Sequence, residues 1–397
     1  MINFKINGAK NSILPIMVIP CIKKGIYTIE NCPNINDVHS MIEILKLLNI
    51  KIIFQNNLLI IDSNNIKIPL VINFDNKIRA SYYLYSVLSY YNKVISHPKP
   101  AGCNIGDRKI DMHLDFLEKN NIKYIKNDNY ITIDSSEFKT NKSLDYTFKL
   151  KSVGATINSI FLSIIGKGTV ILKNCCINPY IYDIIKFLKL MNFKIEILEK
   201  ESIIKINKIN KNKIITNINH RIIPDPINTA SYIIAHCILS DEKLILKNTN
   251  KLFLGNFNNI VEKIGIKLNQ KSNDLIITKN KLNSFKIETG VFPKLFTDVM
   301  PIFCSLGFIL GNCKIKENIM NNRFIFIEEF KKLNCNFNLK NSNELSIHET
   351  ILRLKNNNFK LTDLRGGFAT LILLSYYLKK NKNVFVKINN FEYIKRG

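Results

Sequence analysis

The sequence predicts a two-domain α/β protein made of six repeats of about 70 residues, the last incomplete. Two series of matching segments carry that prediction. The first is a helix-like end, a short polar turn and two small strands. It reads LKLLNIKIIFQNNLLIID, LEKNNIKYIKNDNYITID, LKLMNFKIEILEKESIIKI, VEKIGIKLNQKSNDLIIT and FKKLNCNFNLKNSNELSI. Its equivalent residues Lys51, Lys123, Lys194, Lys267 and Asn336 lie 72, 71, 73 and 69 positions apart. The second series is a polar residue opening a strongly apolar helix, and it occurs six times. Its opening residues Lys10, Arg79, Ser152, Asp225, Asp298 and Asp363 lie 69, 73, 73, 73 and 65 positions apart. A helix that is apolar on nearly every side must be buried on most sides. Each repeat therefore combines one buried helix, one amphipathic helix and short strands, which is an α/β layout and not a sandwich or an up-down bundle.

Taken in order, the buried helices are GAKNSILPIMVIPCIKKG, IRASYYLYSVLSYYNK, SVGATINSIFLSIIGKG, DPINTASYIIAHCILSDEK, FTDVMPIFCSLGFILGN and DLRGGFATLILLSYYLKKNK. Six openings against five strand tails leave the sixth repeat without its last helix and hairpin. Three repeats per domain places the connection in the Lys/Asn/Ile-rich stretch around Lys205–His220. The first domain is then 10–223, and the second is 224–397 together with 1–9.

Composition narrows the function classes. Hydrophobic residues make up 46% and mean hydropathy is +0.01, as in soluble globular proteins. The longest apolar runs, Ser12–Ile22 and Pro301–Leu310, fall short of the ~20 residues that a membrane span needs. Ser12–Ile22 lacks a small-residue cleavage site and runs into Lys23-Lys24, so a cytoplasmic protein is expected and no membrane partner. The net charge of +26 invites a nucleic-acid reading. The lysines, however, are dispersed among Asn and Ile as an AT-rich genome would scatter them, so no nucleic-acid partner is expected. A diffuse positive field still favours a small anionic substrate. Nine cysteines, without any CxxC pair, suggest neither a disulfide framework nor a zinc site. The six histidines show no ligand spacing, so no metal and no cofactor are expected.

One loop stands out. HPKPAGCNIGDRKIDMH, residues 97–113, sets Cys103 among Pro and Gly, followed by Asp107, Arg108, Lys109, Asp111 and His113. A thiol close to two cations has a lowered pKa and can exchange protons near neutrality. From the loop alone, Cys103 reads equally well as an inconsequential cysteine. Asp298 and Asp363 each open a helix and read as caps as readily as functional carboxylates, while Asp225-Pro226 has the pattern of a plain cap.

Eight short motifs resolve part of this: GAKN at 8–11, RAS at 79–81, GCNIGDRKIDMH at 102–113, SVGAT at 152–156, FPKLFTDVMP at 292–301, NNRF at 321–324, DLR at 363–365 and RG at 396–397. In this order and spacing the chain resembles the enolpyruvyl transferases over nearly its whole length, and within them the branch that uses UDP-N-acetylglucosamine. The resemblance implies a two-domain inside-out α/β barrel. It implies transfer of the enolpyruvyl group of phosphoenolpyruvate to the sugar 3′-hydroxyl with release of phosphate, the first committed step of peptidoglycan synthesis and cell-wall biogenesis. The alternatives are an acceptor of the shikimate 3-phosphate type, or a decayed, non-catalytic nucleotide-sugar binder. No obligate protein partner is implied.

Carried over by motif, Cys103 is the proton donor, which in the family also forms an adduct with phosphoenolpyruvate and is alkylated by fosfomycin. Asp298 orients or deprotonates the hydroxyl, with Lys10 and Arg396 completing the catalytic set. Lys10, Asn11, Arg108, Arg365 and Arg396 hold phosphoenolpyruvate. Arg79, Arg108, Lys109, Ile110, Asp111, Met112, His113, Lys151, Ser152, Val153, Gly154, Asp298, Ile319 and Arg323 contact UDP-N-acetylglucosamine. The helix start at Ser152–Gly154 supplies backbone N–H groups suited to a diphosphate. Cations from two domains imply closure on substrate, with the Cys103 loop as a lid. The chain departs from the family pattern at Leu150, where a lysine is usual, at Asn178 for glutamate and at Pro226 for arginine. It is short by about one strand at its start, and it leaves Arg396 on the penultimate residue, where termini fray.

Overall fold

The computed structural model describes residues 1–75, 78–100, 109–138, 143–207 and 214–397. Cys103 and Arg108 lie outside them. The described residues form two compact units, one within 8–223 and the other of 1–7 with 224–397. Gly8 and Ala9 were expected with the second domain but pack with the first, where the Ala9 N–H donates to the Ile223 carbonyl at 2.8 Å.

Four of the six described sheets follow one plan: a parallel edge strand, a central strand, then a hairpin returning antiparallel. In the unit within 8–223, Ile26–Glu30 pairs in parallel with Ile218–Arg221 and antiparallel with Leu58–Asp62, which pairs with Lys51–Gln55. Leu144–Thr147, Val170–Lys173, Ile203–Ile206 and Ile195–Leu198 repeat that order. Between them Val94–Pro98, Tyr130–Asp134 and Lys123–Lys126 form three strands, the parallel edge reduced to a single bridge between Val71 and Ser96.

In the other unit the edge strand Ile2–Lys5 pairs in parallel with Leu244–Lys247, followed by Asp274–Lys279 and Ile266–Lys271. Lys286–Glu288, Cys313–Lys316, Glu344–Ile347 and Phe337–Lys340 make the next sheet, and Asn358–Lys360 with Lys387–Asn389 the last. Among the described residues these are six separate open sheets, so the expected barrel is not closed by its strands. The Lys205–His220 stretch is not a plain connection either. Ile218–Arg221 alternates buried and exposed residues, as a strand half-covered by a core must.

The buried helices fill the interior. Pro226–Leu239, Met300–Leu310 and Leu364–Lys380 touch one another pairwise. The fully buried Ser305 hydroxyl donates across that packing to the Ala369 carbonyl at 2.8 Å. In the other unit Tyr83–Leu88 packs on both Lys10–Val18 and Val153–Ile165. Eleven of the thirteen residues of Val153–Ile165 are buried. At about 1.5–3 kcal/mol for each large aliphatic side chain, such a helix is held by burial and not by propensity.

Five amphipathic helices, Asn36–Lys46, Asp111–Lys119, Pro179–Leu190, Phe257–Ile264 and Ile327–Lys331, lead into the hairpins. Each run ends on a left-handed residue at the same repeat position: Asn49, Asn121, Asn192, Gly265 and Asn334, with φ of 58°, 59°, 70°, 108° and 62°. Asn and Gly tolerate that conformation, and it frees the chain to turn into a strand. Among the described residues no helix is long and apolar enough to cross a membrane.

Candidate active site

Lys10 opens the helix Lys10–Val18, whose N-cap Ala9 offers no side-chain oxygen to the first-turn N–H groups. Positive backbone character and the Lys10 ammonium thus coincide, with half-buried Asn11 beside them. The Lys10 Nζ lies 3.3 Å from Asp37 Oδ2.

In the same unit the expected sugar-nucleotide residues gather around one ring. Arg79 opens the short 3-10 helix Arg79–Tyr82, and its guanidinium lies 5.8 Å from the Tyr82 ring centre. Tyr82 meets the His113 ring edge-on, with centroids 4.5 Å apart. His113 lies in the first turn of Asp111–Lys119, behind Ile110 as N-cap, with Lys109 and Asp111 exposed and Met112 half-buried.

Asn158 Nδ2 sits 2.9 Å from His113 Nδ1 and 3.1 Å from the Tyr82 carbonyl oxygen, to which it donates. Burial, aided by the Arg79 charge, pushes His113 down to about 3. A Cβ on Gly154 would come within 2.5 Å of the Tyr82 hydroxyl and 3.1 Å of His113 Cε1, so only glycine fits there without a shift. The Ser152 hydroxyl caps the helix by accepting from the Ala155 N–H at 3.3 Å, and Val153 and Gly154 begin it. Lys151 is exposed and donates to the Ser202 hydroxyl at 2.7 Å, while Leu150 is 70% exposed. Asn178 caps Pro179–Leu190 through the Ile181 N–H, so the residue found in place of glutamate is an ordinary N-cap. Pro226 is the first residue of its helix, behind an Asp225 cap that accepts from Ile227 and Asn228.

In the other unit the centre is Arg323, whose side chain is only 1% exposed. Its Nη2 donates to Asp298 Oδ1 at 3.0 Å, its Nε to the Thr297 carbonyl at 3.3 Å, and its Nη1 lies 3.7 Å from Asp363 Oδ1. Asp298 does not open the fifth buried helix as expected. That helix is Met300–Leu310 with Val299 as N-cap, so the Asp298 carboxylate is turned to Arg323 instead of capping backbone. Asp363 is a cap, accepting from the Arg365 and Gly366 N–H groups at 2.9 and 3.0 Å.

The Arg365 guanidinium donates to Asn228 Oδ1 at 2.7 Å. Ile319 is 39% exposed, and its N–H donates to Glu317, which also accepts from the Met320 N–H and the Thr297 hydroxyl. Arg396 ends the 3-10 helix Phe391–Arg396, half-buried. The structure thus groups Arg79, His113 and Ser152–Gly154 in one unit, and Asp298, Ile319, Arg323 and Arg365 in the other.

Motif reading missed the residues that hold these groups: Asp37, Tyr82, Asn158, Asn228, Thr297 and Glu317. Asn158 alone carried a usable signal, four residues beyond Gly154 on one helix face. The eight described free cysteines are all buried, and burial pushes Cys175 up to about 12 and Cys176 to about 11, so none of that pair is a poised thiol. Among the described residues no group of three His, Cys, Asp or Glu side chains could hold a metal ion.

Residues 3–397 match the pattern of EPSP synthase (3-phosphoshikimate 1-carboxyvinyltransferase). The chain belongs to this family. Within the family, a UDP-N-acetylglucosamine 1-carboxyvinyltransferase of Wolbachia pipientis subsp. Culex pipiens (strain wPip) is 31% identical over 411 residues, covering 99% of this chain and 92% of that one. Its namesake in Buchnera aphidicola subsp. Schizaphis graminum (strain Sg) is 31% identical over 401 residues, covering 100% and 92%. The solved enolpyruvyl transferase NikO from Streptomyces tendae superimposes with a TM-score of 0.85 over 100% of this chain and 92% of that chain. At 18% identity that likeness concerns the fold alone.

Proposed function

We propose that this protein transfers the enolpyruvyl group of phosphoenolpyruvate to the 3′-hydroxyl of UDP-N-acetylglucosamine, releasing phosphate, as a cytoplasmic enzyme of peptidoglycan synthesis. The observation that carries this reading is 31% identity across 99% of the chain to a relative named for that reaction. Several residue groupings are suited to the chemistry.

The reaction is an addition followed by an elimination. The Cys103 thiol gives its proton to the vinyl CH2, leaving a cationic carbon. The sugar oxygen bonds to that carbon while Asp298 takes the hydroxyl proton. The C–O bond to phosphate then breaks, phosphate keeping the electron pair, and the new methyl group returns a proton to the Cys103 thiolate to restore the double bond. Arg323 fixes the Asp298 carboxylate by a 3.0 Å hydrogen bond, so the base waits in one orientation. Lys10 at a helix start, with Arg108, Arg365 and Arg396, balances the charge of phosphoenolpyruvate and of departing phosphate. The N–H groups at Ser152–Gly154 take the diphosphate, and Gly154, lacking a side chain, lets Tyr82 and His113 pack close to that helix start.

The test is phosphate release from phosphoenolpyruvate with UDP-N-acetylglucosamine or shikimate 3-phosphate as acceptor, with and without fosfomycin. Release with the nucleotide sugar alone, stopped by fosfomycin and by Cys103→Ala, is expected. Release only with shikimate 3-phosphate would move the acceptor to the other branch. Binding without turnover by folded protein would sink the enzyme reading.

A further inference from the structure

We infer that Asn158 is a positioning residue that fixes His113 in one neutral tautomer, so that the ring meets its ligand as an Nε2–H donor and never as a cation. This rests on the proposed role of His113 in holding the nucleotide sugar.

The inference starts from the Tyr82 carbonyl. A carbonyl oxygen only accepts, so the Asn158 atom 3.1 Å from it must be the amide nitrogen, and the amide cannot be flipped. That same nitrogen sits 2.9 Å from His113 Nδ1. An amide NH2 only donates, so Nδ1 must present its lone pair, and in a neutral ring the proton then sits on Nε2. A protonated ring would point an N–H at an N–H across a contact with no room for water, since His113 and Asn158 are 6% and 3% exposed.

The surroundings act in the same direction. The Arg79 guanidinium and the Tyr82 ring face His113 from the 79–82 turn, and the Tyr82 hydroxyl donates to the Tyr83 hydroxyl at 3.4 Å. The helix Val153–Ile165 that carries Asn158 contributes no charged side chain. On its own helix Asp111 and Asp115 each lie two residues away, Asp111 exposed and Asp115 accepting from the Tyr146 hydroxyl at 2.6 Å, with the exposed Lys109 just ahead. The depressed pKa of His113 agrees with this balance. A neutral donor suits an oxygen acceptor such as a carbonyl or a sugar or phosphate oxygen, and its strength does not vary with pH near neutrality.

The decisive measurement is the ring 15N spectrum of His113 in the intact protein, assigned by loss of the signal in His113→Gln. The expected pattern is a protonated Nε2 and an unprotonated Nδ1, unchanged from pH 5.5 to 8. A proton on Nδ1, or a titration near pH 6.5, would overturn the inference. Asn158→Asp replaces the donor with an acceptor and should move the proton to Nδ1, with KM for UDP-N-acetylglucosamine acquiring a pH dependence and kcat falling less than threefold. Asn158→Gln is the conservative control, and partial recovery of the wild-type spectrum is expected. If Asn158→Asp keeps the wild-type tautomer, Asn158 does not set it. If the tautomer is as expected but His113→Gln leaves KM unchanged, the assignment of His113 to the sugar nucleotide fails while the positioning by Asn158 stands.

Discussion

The two clusters that motif reading singles out are built on opposite electrostatic plans. Around His113, the Arg79 guanidinium, the Tyr82 ring and the Asn158 amide surround a buried ring whose pKa is pushed down, and Gly154 lets Tyr82 and His113 pack against a helix start. Around Arg323, a buried guanidinium is shared between two carboxylates and a carbonyl. The first plan suits recognition, because neutral donors hold a ligand without changing charge during a reaction. The second suits proton transfer, because a charge-assisted hydrogen bond orients a base while the low dielectric strengthens every interaction near it.

The sharpest way to break this contrast is Asp298→Asn. Loss of a general base costs about 10²–10⁴-fold in rate, so kcat for phosphate release should fall in that range with little change in KM for the nucleotide sugar. A change confined to KM would place Asp298 on the recognition side. Arg323→Met comes next. It leaves Asp298 and Asp363 without their buried partner and should cost about 3–5 kcal/mol, read from urea unfolding at pH 7. Unaltered stability would mean that the guanidinium carries no such load.

Acid tests the neutral cluster. Burial lowers His113 to about 3 and, in the same unit, His97 to about 4, against 6.5 in the unfolded chain. Between those values and 6.5 the unfolded state binds protons that the folded state refuses. Stability therefore rises with pH through this window and is lost on acidification, by about 2 kcal/mol per histidine from pH 7 to 5. Urea midpoints at the two pH values, compared with those of His97→Gln and His113→Gln, read this directly. An undiminished drop in the double variant would assign the acid loss elsewhere. The smallest effect belongs to the helix caps. Ser152→Ala should cost about 1 kcal/mol, since its hydroxyl accepts one N–H, and Asp363→Ala up to about 2, since it accepts two and faces Arg323. Equal costs would mean that Asp363 acts as a cap only.

The repeat and its elements were legible because they depend on local rules. Asn49, Asn121, Asn192, Gly265 and Asn334 sit at one repeat position for a backbone reason visible in the letters. The caps at Ser152, Asp225 and Asp363 follow from residue type and place. What stayed hidden was long-range. Nothing near Asp298 announces that Arg323, 25 residues on, turns its carboxylate away from the helix start. Nor does Lys205–His220 disclose that its last residues join a strand formed by Ile26–Glu30, because a parallel edge strand is chosen by the sheet it completes and not by its own sequence. The supporting residues Asp37, Asn228 and Glu317 are common types in unremarkable contexts, and only folding assigns them partners.

The exchange of edge strands sets a timetable for synthesis. Ile2–Lys5 is made early, yet its partner Leu244–Lys247 follows about 240 residues later, some 12–50 s at ordinary elongation rates. The first sheet begun in the unit within 8–223 likewise waits for its edge strand Ile218–Arg221. Until then Ile26–Glu30, and in the other unit Ile2–Lys5, lack their parallel partners, and such unpaired edges recruit other strands. A nascent chain arrested near residue 215 should therefore be more prone to aggregate than one arrested near 250, so a chaperone is needed until those two partner strands have been made.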